Sequence, residues 1–158
     1  LERQGLQKSL QVLDPTGVAP EPPWELARLM ADLDEIVKRV RVASQVSVDS
    51  PQGLGNIVAG ALANAGFMIE TGQKPDFLLQ ARLNLTDLGF QDGWYWQRGN
   101  LEVILSETGS GRVRGNRMWI IKSSAQDAKS AIRRALEQAD SVLRKELGSA
   151  ILSMAGSR

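Results

Sequence analysis

The stretch Phe77-Leu78-Leu79-Gln80-Ala81-Arg82-Leu83-Asn84-Leu85-Thr86-Asp87 sets Phe77, Leu79, Ala81, Leu83 and Leu85 at odd positions and Gln80, Arg82, Asn84 and Thr86 between them. Successive side chains of a strand point to opposite faces, so this alternation predicts a strand with one buried and one polar face. Over 94–106 the pattern recurs: Leu101, Val103 and Leu105 face inward, while Arg98, Asn100, Glu102 and Ser106 face outward. A parallel sheet covered by helices above and below has no polar face. The two strands therefore predict an α+β fold of two layers, a mainly antiparallel sheet with helices packed on one face.

The flanking elements fit that plan. Val40, Val42, Val46 and Val48 alternate with Arg41, Ala43, Gln45 and Ser47 in a β-branched strand, punctuated by Asp49-Ser50-Pro51. Leu54, Ile57, Val58, Ala61, Leu62 and Ala65 recur at helical spacing, and Gly66 stands where a helix stops. A short strand over 67–70 and a turn over 73–76 follow. Thr108-Gly109-Ser110-Gly111 reads as a hairpin loop, and the strand after it, 112–122, carries Met118, Trp119, Ile120 and Ile121 in succession, which predicts burial on both faces. Ser124 and Asp127 have the form of a capping-box variant. From there Ala128, Ala131, Ile132, Ala135, Leu136, Ala139, Val142, Leu143 and Leu147 trace one helical stripe, extended beyond Gly148 by Ala150, Ile151 and Met154. Its alanines suit close docking on a sheet better than a coiled coil. Burial of each large member is worth about 1.5–3 kcal/mol, so Leu136→Asp or Leu143→Asp is expected to unfold the domain.

The N-terminal part reads differently. Leu6, Leu10 and Leu13 have helical spacing, Asp14-Pro15-Thr16-Gly17 ends that segment, and Pro20, Pro22 and Pro23 make a stiff spacer. Over 24–40, Leu26, Leu29, Met30, Leu33, Ile36, Val37 and Val40 form one helical face, with Arg28, Asp32, Glu35 and Arg39 on another. Residues 1–39 thus read as a helical arm with a Pro-rich spacer, either folded onto the domain or the tail of an upstream region, and 40–154 as an α+β domain.

Composition narrows the chemistry. The chain has 158 residues, 42% of them hydrophobic, the right size for one core. Mean hydropathy is −0.20, and no apolar run reaches the roughly 20 residues that cross a bilayer. With no histidine and no cysteine, a thiol nucleophile, an imidazole base, a disulfide and a zinc site of sulfur and nitrogen ligands are excluded. Net charge +1 supplies no bulk field for nucleic acid or anionic lipid. The chain begins at Leu1 rather than Met, so any signal peptide or lipid-attachment site lies upstream.

From Val42 to Ile151 the chain resembles the soluble domain of the twenty-kilodalton lipoprotein family of the bacterial outer membrane (the Lpp-twenty type). The likeness rests on Ser47-Val48-Asp49-Ser50-Pro51-Gln52-Gly53-Leu54, Ala65-Gly66-Phe67 and Asp92-Gly93-Trp94-Tyr95-Trp96-Gln97-Arg98-Gly99. It continues in Trp119-Ile120-Ile121-Lys122-Ser123-Ser124-Ala125-Gln126-Asp127 and the alanine-rich helix after it. The element order is also similar to the domain shared by the TolB amino-terminal region, the curli-secretion lipoprotein and the penicillin-binding-protein activator lipoproteins. The resemblance implies a periplasmic domain anchored to the outer membrane through an upstream lipidated cysteine, a binding or assembly role, and no catalytic residues.

Among candidate sites, Trp94, Trp96 and Arg98 lead: two tryptophans on one side of a strand beside a cation suit stacking on a sugar, a peptide or a protein. The alternative is that the tryptophans cap the core beneath a helix. Arg82 and Glu102 belong to the polar sheet face, which is plain surface, a seat for residues 1–39, or a partner site. If the two strands pair, Arg82 and Glu102 make a cross-strand ion pair worth about 0.2–1 kcal/mol. Arg112, Arg114, Arg117 and Lys122 form a local basic patch, explained as well by a charged hairpin edge that discourages aggregation as by nucleic acid. Gly53-Leu54-Gly55-Asn56 lacks the spacing of a phosphate-binding fingerprint and reads as a tight helix entry. Asp87 and Asp92 flank a loop where two carboxylates could hold a cation or act as an acid–base pair.

These readings converge on a non-catalytic lipoprotein domain that binds an envelope protein or a peptidoglycan-associated partner. No metal, no cofactor and no nucleic acid are expected, and a homo-oligomer is left open. The competing reading is a carboxylate-dependent cell-wall hydrolase using Asp87, Asp92 or Glu102.

Overall fold

The computed structural model describes residues 24–69, 72 and 74–156. The helix expected over 1–13, the Pro-rich spacer, Glu70 and Gln73 lie outside the described residues. The chain divides into two compact units, Leu1–Glu35 and Ile36–Arg158. Of the first, Trp24–Glu35 is described; it is the larger part of helix α1 (Trp24–Arg39), whose stripe residues Leu26, Leu29, Met30 and Leu33 are exposed.

The second unit opens with the last turn of α1, where Val37 is buried. Then come β1 (Arg41–Val46), α2 (Leu54–Asn64), β2 (Met68–Ile69), β3 (Phe77–Gln91), β4 (Trp94–Glu107), β5 (Val113–Ala125) and α3 (Ala128–Gly156). The sheet order is β2-β1-β3-β4-β5. β1 pairs in parallel with β2 over Arg41 and Val42 and with β3 over Val42–Val46. β3–β4 and β4–β5 form the long antiparallel ladders that make up most of the sheet. The fold is α+β, as the alternation in 77–106 predicted.

The core lies between one sheet face and the helices. Leu79, Ala81 and Leu83 of β3, Leu101, Val103 and Leu105 of β4, Val42 of β1 and Ile121 of β5 are buried with Leu54, Val58 and Leu62 of α2. From α3, Ala135, Ala139, Leu143, Leu147 and Ile151 join them. The alanines let the first half of α3 approach the sheet closely. Gly148 does not stop this helix: a Cβ there would lie 3.1 Å from that of Ala65 at the end of α2, so the glycine gives room for that residue.

Three local expectations are corrected. The first strand ends at Val46, and Val48 is 97% exposed beyond it. The N-cap of α3 is Asp127, whose carboxylate accepts the N–H of Ser130 at 2.8 Å, whereas Ser124 belongs to β5. Most importantly, 118–121 is not buried on both faces: Met118 is 53% and Ile120 71% exposed, while Ile121 is fully buried. β5 is an edge strand whose helices cover one side alone, so alternation sends Met118 and Ile120 outward.

Candidate functional site

The sheet face turned away from α2 and α3 carries every residue singled out for binding. On β4, Gln97, Leu101, Val103 and Leu105 are buried toward the helices, so Trp94, Trp96, Arg98 and Glu102 point the other way. The tryptophans therefore do not cap the core. Trp94 is 40% exposed; Trp96 is half-buried, and its indole N–H donates to the Gln91 carbonyl at 3.3 Å. Tyr95 takes the opposite side, with its ring centroid 5.1 Å from that of Phe90, its register partner.

The cation over Trp96 is Lys122, with Nζ 5.3 Å from the ring centroid. Arg98 and Lys122 are register partners. Like charges directly opposite repel, and turning the ammonium over the indole separates them while gaining a cation–π contact. Of the expected basic patch, Lys122, Arg114 and Arg117 each go to a different partner. Arg114 makes a 3.0 Å ion pair with Glu107 and donates to the Ala155 carbonyl at 2.6 Å in the last turn of α3. Arg117 lies 3.7 Å from Glu146.

Arg82 and Glu102 stand directly opposite each other in the register, but they do not form the expected ion pair. The Arg82 guanidinium reaches Asn84 Oδ1 at 3.0 Å and Asp49 at 3.5 Å, and Glu102 accepts from the Asn116 side chain at 3.3 Å. Each charge has a nearer partner along its own side of the sheet. Both line an open groove of about 450 Å³ with Val46, Val48, Gln80 and Ile104. The groove arises because β1 stops at Val46 while β3 runs on to Gln91. Where β1 leaves, Ser50 Oγ accepts the Leu83 N–H at 3.0 Å, closing a backbone donor that the missing strand would have taken. Glu102 and Trp96 are six residues apart on β4, roughly 20 Å at strand spacing, so the candidate residues share a face but form two groups.

The acidic residues are not brought together. There is no loop between Asp87 and Asp92: the strands meet in a two-residue turn, Asp92-Gly93, with φ of 52° and 82°. Such a turn favours Asp-Gly because both residues need positive φ. Asp87 accepts the Gly89 N–H at 2.7 Å, where the β3–β4 register shifts. Asp87 is five residues from Asp92 and five from the position opposite Glu102, roughly 15 Å each way along the strand; paired carboxylates of glycosidases stand about 5–9.5 Å apart. Gly53 precedes α2 with φ 102°, the tight helix entry that its sequence suggested.

What sequence reading missed is the apolar part of this face, Met118 and Ile120. The signal was available: their register partners on β4 are Glu102 and Asn100, and a strand beside a polar face cannot be buried on both sides.

No protein-family model matches the chain, and no curated protein matches it. Similar solved structures exist. Protein XCC0632 from Xanthomonas campestris, of the family DUF330, superposes with a TM-score of 0.54 at 14% identity, over 73% of this chain and 85% of that one. A putative lipoprotein from Caulobacter crescentus gives 0.54 at 13% identity, over 80% and 98%. This chain shares their fold. PelC from Paraburkholderia phytofirmans, a dodecamer, is a more distant likeness at TM-score 0.48 and 14% identity, over 70% and 88%. Among the described residues no helix is long and apolar enough to cross a membrane.

Proposed function

We propose that this chain is the non-catalytic periplasmic domain of a bacterial outer-membrane lipoprotein of the twenty-kilodalton type, held at the membrane by an N-terminal lipid. Its task is to bind an envelope protein or a peptidoglycan-associated partner through the open sheet face. The observation that carries the reading is the pairing of exposed Met118 and Ile120 with Trp96, Arg98 and Glu102 on a face that neither α2 nor α3 covers. Apolar side chains ringed by charges on a flat surface suit a protein partner, which buries the former and pairs the latter. The fold shared with a putative lipoprotein supports the setting.

A photo-reactive residue placed at Trp96, and separately at Glu137 on the exposed side of α3, tests this in envelope extract. One partner protein crosslinked from position 96 and absent from position 137 is the expected result, with recovery lowered at least fivefold by Arg98→Glu. Equal adducts from both positions, or none, would end the proposal. Purified domain is also expected to leave peptidoglycan intact; turnover abolished by Asp92→Asn or Glu102→Gln would establish the hydrolase instead.

A further inference from the structure

The outer edge of β5 is half closed and half open. The Lys122 N–H donates to Gln138 Oε1 at 3.0 Å, and the Ser124 carbonyl accepts from Arg134 at 2.8 Å, both side chains reaching over from α3. These contacts fix the direction of the edge: even-numbered residues of β5 point their backbone groups away from β4. Asn116, Met118 and Ile120 are the next even positions, and among the described residues no backbone or side-chain group receives their outward N–H and C=O groups. A row of three unpaired residues on an edge is a template for another strand.

We infer that this window pairs with the same window of a second copy of the chain, antiparallel, about a two-fold axis through Met118. Three features single out that occupant. The window Asn116–Ile120 is centred on Met118, so antiparallel pairing about its middle uses the open positions alone and leaves the caps at Lys122 and Ser124 in place. On the open face, Met118 then meets Met118 of the other copy, and each Ile120 meets the other's Asn116, joining the exposed apolar side chains of two sheets into one cluster. On the opposite face, each Arg117 stands across from the other copy's Trp119. Trp119 donates its indole N–H to Glu146 at 2.6 Å, whereas Arg117 reaches the same carboxylate in its own chain at a loose 3.7 Å. The pairing brings each Arg117 to a second carboxylate, a charge match repeated by the symmetry.

The contact is a short strand pair, smaller than the roughly 1,200–2,000 Å² of a stable interface, so the dimer forms with rising concentration. It uses the sheet edge with Met118 and Ile120, the apolar pair on which the function proposed above also draws, and leaves Trp94, Trp96 and Arg98 clear; mass in sedimentation tests the dimer and crosslinking from position 96 tests the partner, so either can fail alone.

Sedimentation of the 17.2 kDa chain from micromolar to millimolar concentration is expected to show the mass rising twofold. Met118→Pro removes one outward N–H without breaking a β4–β5 hydrogen bond, because proline is tolerated where the N–H faces solvent; it should hold the chain at monomer mass with an unchanged circular dichroism spectrum. The chain has no cysteine, so Met118→Cys reports the pairing even where the proline variant misfolds. Residues opposite in such a pair have Cα atoms about 5.5 Å apart, within disulfide reach. Under mild oxidant Met118→Cys should form a covalent dimer at least tenfold faster than Val48→Cys, although Val48 is the more exposed position. Monomer mass at every concentration, a dimer that survives Met118→Pro, or equal oxidation of the two cysteine variants would overturn the inference.

Discussion

Gly99 on β4 lies against the backbone of Asn84 on β3, so closely that a Cβ at residue 99 would collide with the Asn84 carbonyl. Gly99 pairs with Leu85 on one side and Ile121 on the other, near the β3–β4 register shift at Asp87. The obstacle is backbone on a central strand, so no side-chain rotation relieves it. Gly99→Ala is expected to destabilise the domain by about 1–3 kcal/mol or more, the range for forcing atoms into a packed site. Denaturant melts would measure it, and a midpoint equal to wild type would show that the strands can part without cost.

Burial separates two large aliphatic residues that hydropathy alone treats alike. Leu143 of α3 is buried in the core, and Ile120 of β5 is mostly exposed. Leu143→Asp should abolish cooperative unfolding, since Leu→Ala at such a site already costs about 2–5 kcal/mol. Ile120→Asp should stay within about 0.5 kcal/mol of wild type, as exposed substitutions do. Leu136, expected from its stripe position to behave like Leu143, is half-buried, and Leu136→Asp should fall between the two. Thermal melts of the three variants give the order.

Asp127 links the start of α3 to pH. The Ser130 backbone N–H, then its hydroxyl, hydrogen-bond the carboxylate and hold its pKa below the usual 3.8. A carboxyl whose pKa is lower in the folded than in the unfolded chain contributes stability above the unfolded value, and loses it as pH falls through the folded one. Asp127→Ala should therefore lower the melting temperature at neutral pH, by an amount that shrinks as the pH is taken down below 3.8. Asp127→Asn keeps the capping hydrogen bond and should flatten that part of the pH profile. A deficit in Asp127→Ala that stays constant from neutral to strongly acidic pH would show that the charge plays no part.

Alternation at Phe77–Leu85 and at Leu101–Leu105, the helical stripe ending in Leu143, Leu147 and Ile151, and the glycine stop at Gly66 were all legible in the chain. Each is a short-range pattern that one turn or one pleat imposes on its own residues. The α+β class followed from these patterns, because a strand that carries Arg82, Asn84 and Thr86 on one side cannot be roofed there by an apolar helix. Asp92-Gly93 carried a turn signal that could have been read as a two-residue hairpin; the acids around it drew a loop instead. What required the assembled fold was everything that depends on a neighbour distant in sequence. Arg82 and Glu102 took their partners from Asp49, Asn84 and Asn116 instead of from each other. Lys122 went to Trp96, and Met118 with Ile120 became surface because β5 fell at the edge of the sheet. Local periodicity records which side of an element is apolar, whereas strand order decides whether anything stands against it.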